Sequence, residues 1–158
     1  MKKLLPLFLP VGLVVFAFFF AQFHPYLDQD FALEDLQGNI LHLGKFAGRP
    51  IILVFFSPRC GDCKDEMPFL KEMYGTHQEK GLVMIGVGIR NKKEIADFVQ
   101  EYGVPFPVVV DETLEVSKNF GVFFLPHIVF FDKKGKITYS KAGKIPQEDL
   151  KTNLATIL

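Results

Sequence analysis

Tryptophan is missing from this chain, and cysteine is confined to two residues, Cys60 and Cys63, so whatever thiol chemistry the protein has lies in that pair. An excess of charge of either sign is missing too. Eighteen basic residues balance eighteen acidic ones, which gives neither the basic surface of a nucleic-acid binder nor an acidic solvating tail. No internal repeat occurs, and there is no low-complexity tract beyond the first segment. No full GxGxxG or Walker pattern appears; the two glycines of "GVGIR" follow an apolar run but form no phosphate loop. Four histidines, His24, His42, His77 and His127, show no paired ligand spacing. One CxxC supplies only two of the four protein ligands of a structural zinc site. No bound cofactor and no metal are therefore expected.

What is present describes a folded protein. The chain has 158 residues, 49% of them hydrophobic and 23% charged, enough for one domain with a real core. Lys2 and Lys3 precede an unbroken apolar run from Leu4 to Ala21. Such a run just spans a bilayer's hydrocarbon core, with its basic end on the cytoplasmic side. A cleaved signal peptide shares that charge logic but favours small residues at the cut, where Phe18, Phe19 and Phe20 stand. Residues 1–23 are read as a membrane anchor or uncleaved signal segment, 24–30 as a short polar linker, and 31–158 as the folded domain. This places the cysteines outside the cytoplasm, where a disulfide forms and persists. The lysine-led anchor fits a bacterial inner membrane crossed once.

From Phe31 onward strands and helices alternate. Apolar pieces flank Gln37-Gly38-Asn39 as in a hairpin. "PIILVFFS" is a continuous apolar run, as in a strand buried on both faces. A helix is predicted from Cys60 to about Tyr74, with Pro68 inside it as a kink. "GLVMIGVGI" is a second buried strand, and "NKKEIADFVQEY" an amphipathic helix with Asn91 as N-cap and Gly103 closing it. A short strand "FPVVVD" and a short helix "ETLEVSKNF" follow, then a hairpin turning at Lys133-Lys134-Gly135 and a C-terminal helix with Pro146 at its start. Parallel early strands with helical crossovers and a closing antiparallel hairpin give an α/β fold: a central mixed sheet flanked by helices, with an N-terminal hairpin extension. The CxxC falls just past the end of a central strand, where open α/β sheets place their chemistry.

A disulfide between Cys60 and Cys63 closes a very small loop, and loop-closure stabilisation grows with loop length, so a purely structural staple gains little. At a helix start, unpaired N–H groups and the macrodipole favour an anion. CxxC thiols in that position fall to a pKa of roughly 3.5–7.5 from about 8.5. Cys60 is the candidate attacking sulfur. Cys63, one turn further in and less exposed, is the candidate resolving one.

The chain resembles thioredoxin-fold, membrane-anchored thiol-disulfide oxidoreductases of the TlpA/ResA type. The likeness runs from Phe31 to the C-terminus and rests on "LVFFSPRCGDCKDEMPFL", "GVPFPVVVDE" and "FGVFFLPHIVFFDKKGKI". It matches the family's C-x-x-C-x-x-E-x-P pattern at Cys60, Cys63, Glu66 and Pro68, and its cis-proline before the final hairpin at Pro126. The resemblance implies an extracytoplasmic enzyme that reduces protein disulfides, in cytochrome c maturation or a related thiol pathway. It implies a proton role for Glu66 beside Cys63, and an extended peptide pairing with the backbone of Leu125 at Pro126. With no cofactor motif, electrons are expected from a membrane donor protein. Three positions depart from the family: Arg59 replaces a tryptophan, Asp62 a proline, and Leu125 a threonine. Arg59 favours the Cys60 thiolate and a more oxidising pair, while Asp62 opposes it. His127 is expected either to tune Cys60 or to point away by strand alternation. Two other functions remain open. Ser57-x-x-Cys60 superficially matches a peroxiredoxin-like peroxidase, though Leu53 stands where that pattern has proline. A copper-binding carrier would use Cys60, Cys63 and His127.

Overall fold

The computed structural model describes residues 27–158; the expected anchor at 1–23 and the first half of the expected linker lie outside them. Strands β1 (Ala32–Glu34) and β2 (Ile40–His42) form the antiparallel hairpin. Its turn is held by Asp35, whose carboxylate accepts the N–H groups of Gln37 and Asn39 at 2.9 and 2.8 Å. Then follow β3 (Ile51–Phe56), α1 (Gly61–His77), β4 (Val83–Gly88), α2 (Lys92–Tyr102), β5 (Val108–Val110), α3 (Glu115–Asn119), β6 (His127–Phe131), β7 (Ile137–Ala142) and α4 (Gln147–Ile157). The five-stranded sheet has the order β5-β4-β3-β6-β7. β3, β4 and β5 run parallel, β6 is antiparallel to β3, and β7 is antiparallel to β6. This is the expected mixed sheet, with the chain reversing direction only once the crossover helices are complete.

Period-two alternation along β3 divides the core into two layers. Ile52, Val54 and Phe56 face the layer packed by Cys63, Met67 and Leu70 of α1, by Ile95 and Phe98 of α2, and by Leu150 and Leu154 of α4. Ile51, Leu53 and Phe55 face the other layer, packed by Phe31, Leu43, Val116 and Phe120. Helix α2 lies so close to the sheet that a Cβ on Gly88 would sit 2.7 Å from Ile95. Only glycine fits there.

Residues 27–30, expected as part of the linker, already pack on the domain. Leu27 is buried in the second layer, and Asp28 exchanges bonds with the final hairpin, donating to Gly135 O at 2.8 Å and accepting from Ile137 N at 2.8 Å. Asp30 accepts the Gly44 N–H at 2.9 Å. Polar composition suggested a linker here, but these carboxylates cap backbone groups of the domain. Helix α1 also runs further than the expected Tyr74, to His77, and carries Pro68 on its exposed side. Among the described residues no helix is long and apolar enough to cross a membrane.

Candidate active site

Strand β3 ends at Phe56, and the turn "SPRC" delivers Cys60 to the start of α1. Ser57 is buried and fixes that turn: its carbonyl accepts the Cys60 N–H at 3.0 Å and its hydroxyl the Arg59 N–H at 3.4 Å. Cys60 is the N-cap of α1, and its Sγ accepts the Cys63 N–H at 3.1 Å. An N–H aimed at the sulfur from the first helical turn is the arrangement that favours a thiolate. The two cysteines are joined as a disulfide, with their Cα atoms 5.2 Å apart. Cys63 is buried at 1% exposure while Cys60 is half-buried, so an incoming reactant meets Cys60.

Glu66 lies on the buried face of α1, one turn behind Cys63. One carboxylate oxygen, Oε1, accepts the Ile145 N–H at 2.7 Å; the other, Oε2, is buried with no hydrogen-bond partner. Burial pushes its carboxyl above the ordinary carboxylate range. The Ile145 N–H pulls the other way, Asp62 adds to the rise and Lys144 opposes it. The result is a carboxylate of raised proton affinity on the same helix face as the inner sulfur. Asp62 itself is exposed in the first turn of α1.

Arg59 is exposed, and its guanidinium forks onto Glu94 of α2, Nε to Oε2 at 3.0 Å and NH2 to Oε1 at 2.7 Å. Glu94 is itself fixed by the α2 cap: Asn91 Oδ1 accepts the Glu94 N–H at 3.0 Å, and Asn91 Nδ2 donates to Glu94 Oε1 at 3.1 Å. The hydrogen bond from Arg59 holds the Glu94 carboxyl below its ordinary range. The charge expected to act on Cys60 alone is thus shared with a carboxylate.

The Leu125–Pro126 peptide is cis, as the resemblance implies. Pro126 is buried and its carbonyl accepts the Gly143 N–H at 2.8 Å; Leu125 packs at the border of both core layers. His127, one residue on, is also buried. Alternation sends it into the second layer, edge-on to Phe55 at 6.1 Å between ring centroids, with Nε2 2.8 Å from Ser140 Oγ. Cys63 occupies the first layer. Of the two orientations expected for His127, this is the one given by strand alternation, on the layer opposite Cys63. Among the described residues no group of three or more His, Cys, Asp or Glu side chains is arranged to hold a metal ion.

Sequence reasoning missed three partners. Glu94 and Ile145 meet the site from positions 35 and 79 residues away from the groups they bind. Tyr139 pairs with Phe130 across β6 and β7, packs on the Glu66 layer, and has a buried hydroxyl without a partner. The alternation in "ITYSKA" does not place Tyr139, because Ile137 two residues earlier packs on the opposite layer across a register shift at Phe130/Phe131.

A bonded CxxC at a helix start, inner sulfur buried and outer sulfur accessible, on this sheet, defines a thioredoxin-fold thiol-disulfide oxidoreductase. Comparison with known proteins agrees. Residues 28–140 match the AhpC/TSA family. The thiol-disulfide oxidoreductase ResA of Geobacillus thermodenitrificans is 33% identical over 129 residues, covering 81% of this chain and 74% of that protein. ResA of Bacillus cereus is 34% identical over 130 residues, covering 81% and 75%. Among solved structures, MTB DsbF superposes with a TM-score of 0.75 at 26% identity, covering 81% of this chain and 95% of that one. A putative thiol:disulfide interchange protein DsbE from Chlorobium tepidum shares the fold, with a TM-score of 0.78 at 24% identity over 84% and 99%. The chain belongs to the AhpC/TSA thioredoxin-like family and, within it, to the ResA-type thiol-disulfide oxidoreductases.

Proposed function

We propose that this enzyme reduces disulfides of proteins outside the cytoplasm, held at a bacterial inner membrane by residues 1–23. The single observation that carries the reaction is the asymmetry of the pair, Cys63 buried and Cys60 accessible. In the reduced enzyme the Cys60 thiolate attacks one sulfur of the substrate disulfide. The substrate S–S bond breaks, its other sulfur leaves as a thiolate and takes a proton, and a mixed disulfide with Cys60 forms. Cys63 then gives its proton to Glu66 Oε2 and attacks Cys60 Sγ; the Cys60–substrate S–S bond breaks, and the second substrate sulfur leaves as a thiolate that takes up the proton Glu66 received, directly or through water. Two electrons pass from the enzyme dithiol to the substrate, leaving the Cys60–Cys63 disulfide. A dithiol donor protein at the membrane restores the dithiol by the reverse exchange. The Leu125 backbone beside Pro126 aligns the substrate segment as an added strand. Arg59 and Asp62 set the poise of the pair.

Trapping tests this directly. Cys63→Ser leaves Cys60 to attack without a resolving thiol, so a mixed disulfide with an oxidised cysteine-containing peptide accumulates and is seen by mass. Cys60→Ser does not form it. Trapping only in Cys60→Ser would reverse the roles, equal trapping in both variants would erase the asymmetry, and trapping in neither would remove the exchange reaction. Consumption of hydrogen peroxide at a rate exceeding peptide-disulfide exchange would instead favour the peroxidase reading of Ser57-x-x-Cys60.

A further inference from the structure

Two large side chains are exposed on the loop that leads into Pro126. Phe123 is 85% exposed and Phe124 72%, the highest values among the exposed large hydrophobic residues described. They lie on the run "GVFFLP", Gly121 to Pro126, which carries no charge and links α3 to β6. The run leads into β6, the sheet neighbour of the strand that delivers Cys60. His127 is in register with Phe55, near the end of the strand that delivers Cys60. Leu125 and Cys60 border the same core layer. Four residues of chain span at most about 14 Å, so Phe123 and Phe124 stay within the footprint of a protein docked on Cys60. Other phenylalanines of this region, such as Phe120 and Phe131, are buried. Exposure of this adjacent pair is a property of the loop, not a shortage of core space.

From this placement we infer that Phe123 and Phe124 form an apolar docking lip that selects protein substrates whose reactive cysteine lies in an aromatic or aliphatic segment. The inference rests on the thiol-disulfide exchange reading and adds its specificity. Any protein reaching the Cys60 sulfur covers the adjoining loop, so the lip is continuous with the surface the reaction itself requires. Apolar side chains flanking the substrate cysteine gain burial there, whereas charged ones are desolvated without a partner. A lipid surface is the other apolar occupant to consider, but a loop that dips into an anionic bilayer carries Lys or Arg beside its aromatics, and this run has neither.

The test uses two synthetic disulfide-linked peptides of equal length, one with Phe and Leu flanking its cysteines and one with Ser. The reduced protein is assayed for kcat/KM on both, and the ratio is read within each variant so that any loss of folded protein cancels. The unaltered protein is expected to prefer the apolar peptide by about tenfold, mainly through KM. Phe123→Ser/Phe124→Ser is expected to bring the ratio close to one, and Phe123→Leu/Phe124→Leu to restore most of it. A ratio near one in the unaltered protein, or a preference that survives the serine pair, overturns the docking lip. Binding to phosphatidylcholine–phosphatidylglycerol vesicles that the serine pair abolishes, with no peptide preference, also overturns it and assigns the lip to lipid. Failure of the oxidised protein to exchange with dithiothreitol would sink the redox reading itself, a separate result.

Discussion

Glu66 and His127 make a matched pair on opposite sides of one sheet. Each is buried, at 7% and 6% exposure, and each uses one polar atom in a hydrogen bond while the other has no partner. Burial acts on both in the same sense, against the charged form: the Glu66 carboxyl is pushed up and the His127 imidazole down. The difference lies in what each one faces. Glu66 shares the buried face of α1 with Cys63, whereas His127 packs edge-on to Phe55, whose layer contains no sulfur. An orphaned polar atom in the core therefore gains a chemical role only where a reacting proton is near. The active side of this enzyme is the α1 side.

The sharpest way to break the comparison is to neutralise each group in turn. Glu66→Gln keeps an acceptor for the Ile145 N–H but cannot take the Cys63 proton. Resolution of the mixed disulfide is expected to slow by about 10²-fold, the scale of general-base catalysis, in stopped-flow measurements. His127→Asn is expected to leave that step within about twofold. Comparable losses in both would mean that burial, not proximity to Cys63, is what matters.

Stability separates the two functions of Glu66. Glu66→Ala strands the buried Ile145 N–H and should cost about 1–3 kcal/mol in urea unfolding, with Glu66→Gln costing less. The two groups should also bend the pH–stability curve in opposite directions. The folded Glu66 carboxyl holds its proton above its ordinary value of 4.5, so its contribution is full below that pH and is lost as pH rises through the folded value. The folded His127 imidazole resists protonation below its ordinary 6.5, so its contribution is full above that pH and is lost as pH falls through the folded value. Unfolding curves of the Gln and Asn variants, measured across this range, should each flatten only their own limb.

The smallest expected effect concerns the outer charge. Glu94→Ala frees the Arg59 guanidinium beside Cys60, which favours the thiolate and makes the pair more oxidising. The exposed setting limits the rise in reduction potential to less than about 30 mV, a tenfold change in the exchange constant. Arg59→Ala in the same background should remove the rise. A fall in potential on losing Glu94 would show that Arg59 does not act on the sulfur.

The strands and the helix start at Cys60 were legible because each leaves a local mark, an apolar run or a CxxC, whereas the cis-proline at Pro126 was expected only through the family resemblance. The side chains around the disulfide were legible only in part. Glu66 could be placed behind Cys63 by helical spacing, since the face containing Cys63, Met67 and Leu70 repeats locally. His127 could not be placed, because its face depends on its register with Phe55 across β3 and β6, set by pairing distant in sequence. Glu94 and Ile145 escaped for the same reason. At residues 27–30 the polar letters misled, because Asp28 and Asp30 are polar in order to satisfy backbone N–H groups of the domain. Phe123 and Phe124 carry no local mark that separates them from buried phenylalanines, and only their exposure distinguishes them.

The central claim is that Cys60 and Cys63 form a reducing couple. Its most direct test is the reduction potential of the domain, equilibrated in glutathione or dithiothreitol buffers and read by alkylation and mass shift. A value at or below about −270 mV is expected, as for a reductase supplied by a membrane donor. A value near −120 mV would identify an oxidant that installs disulfides, and a pair that never exchanges would contradict the account altogether.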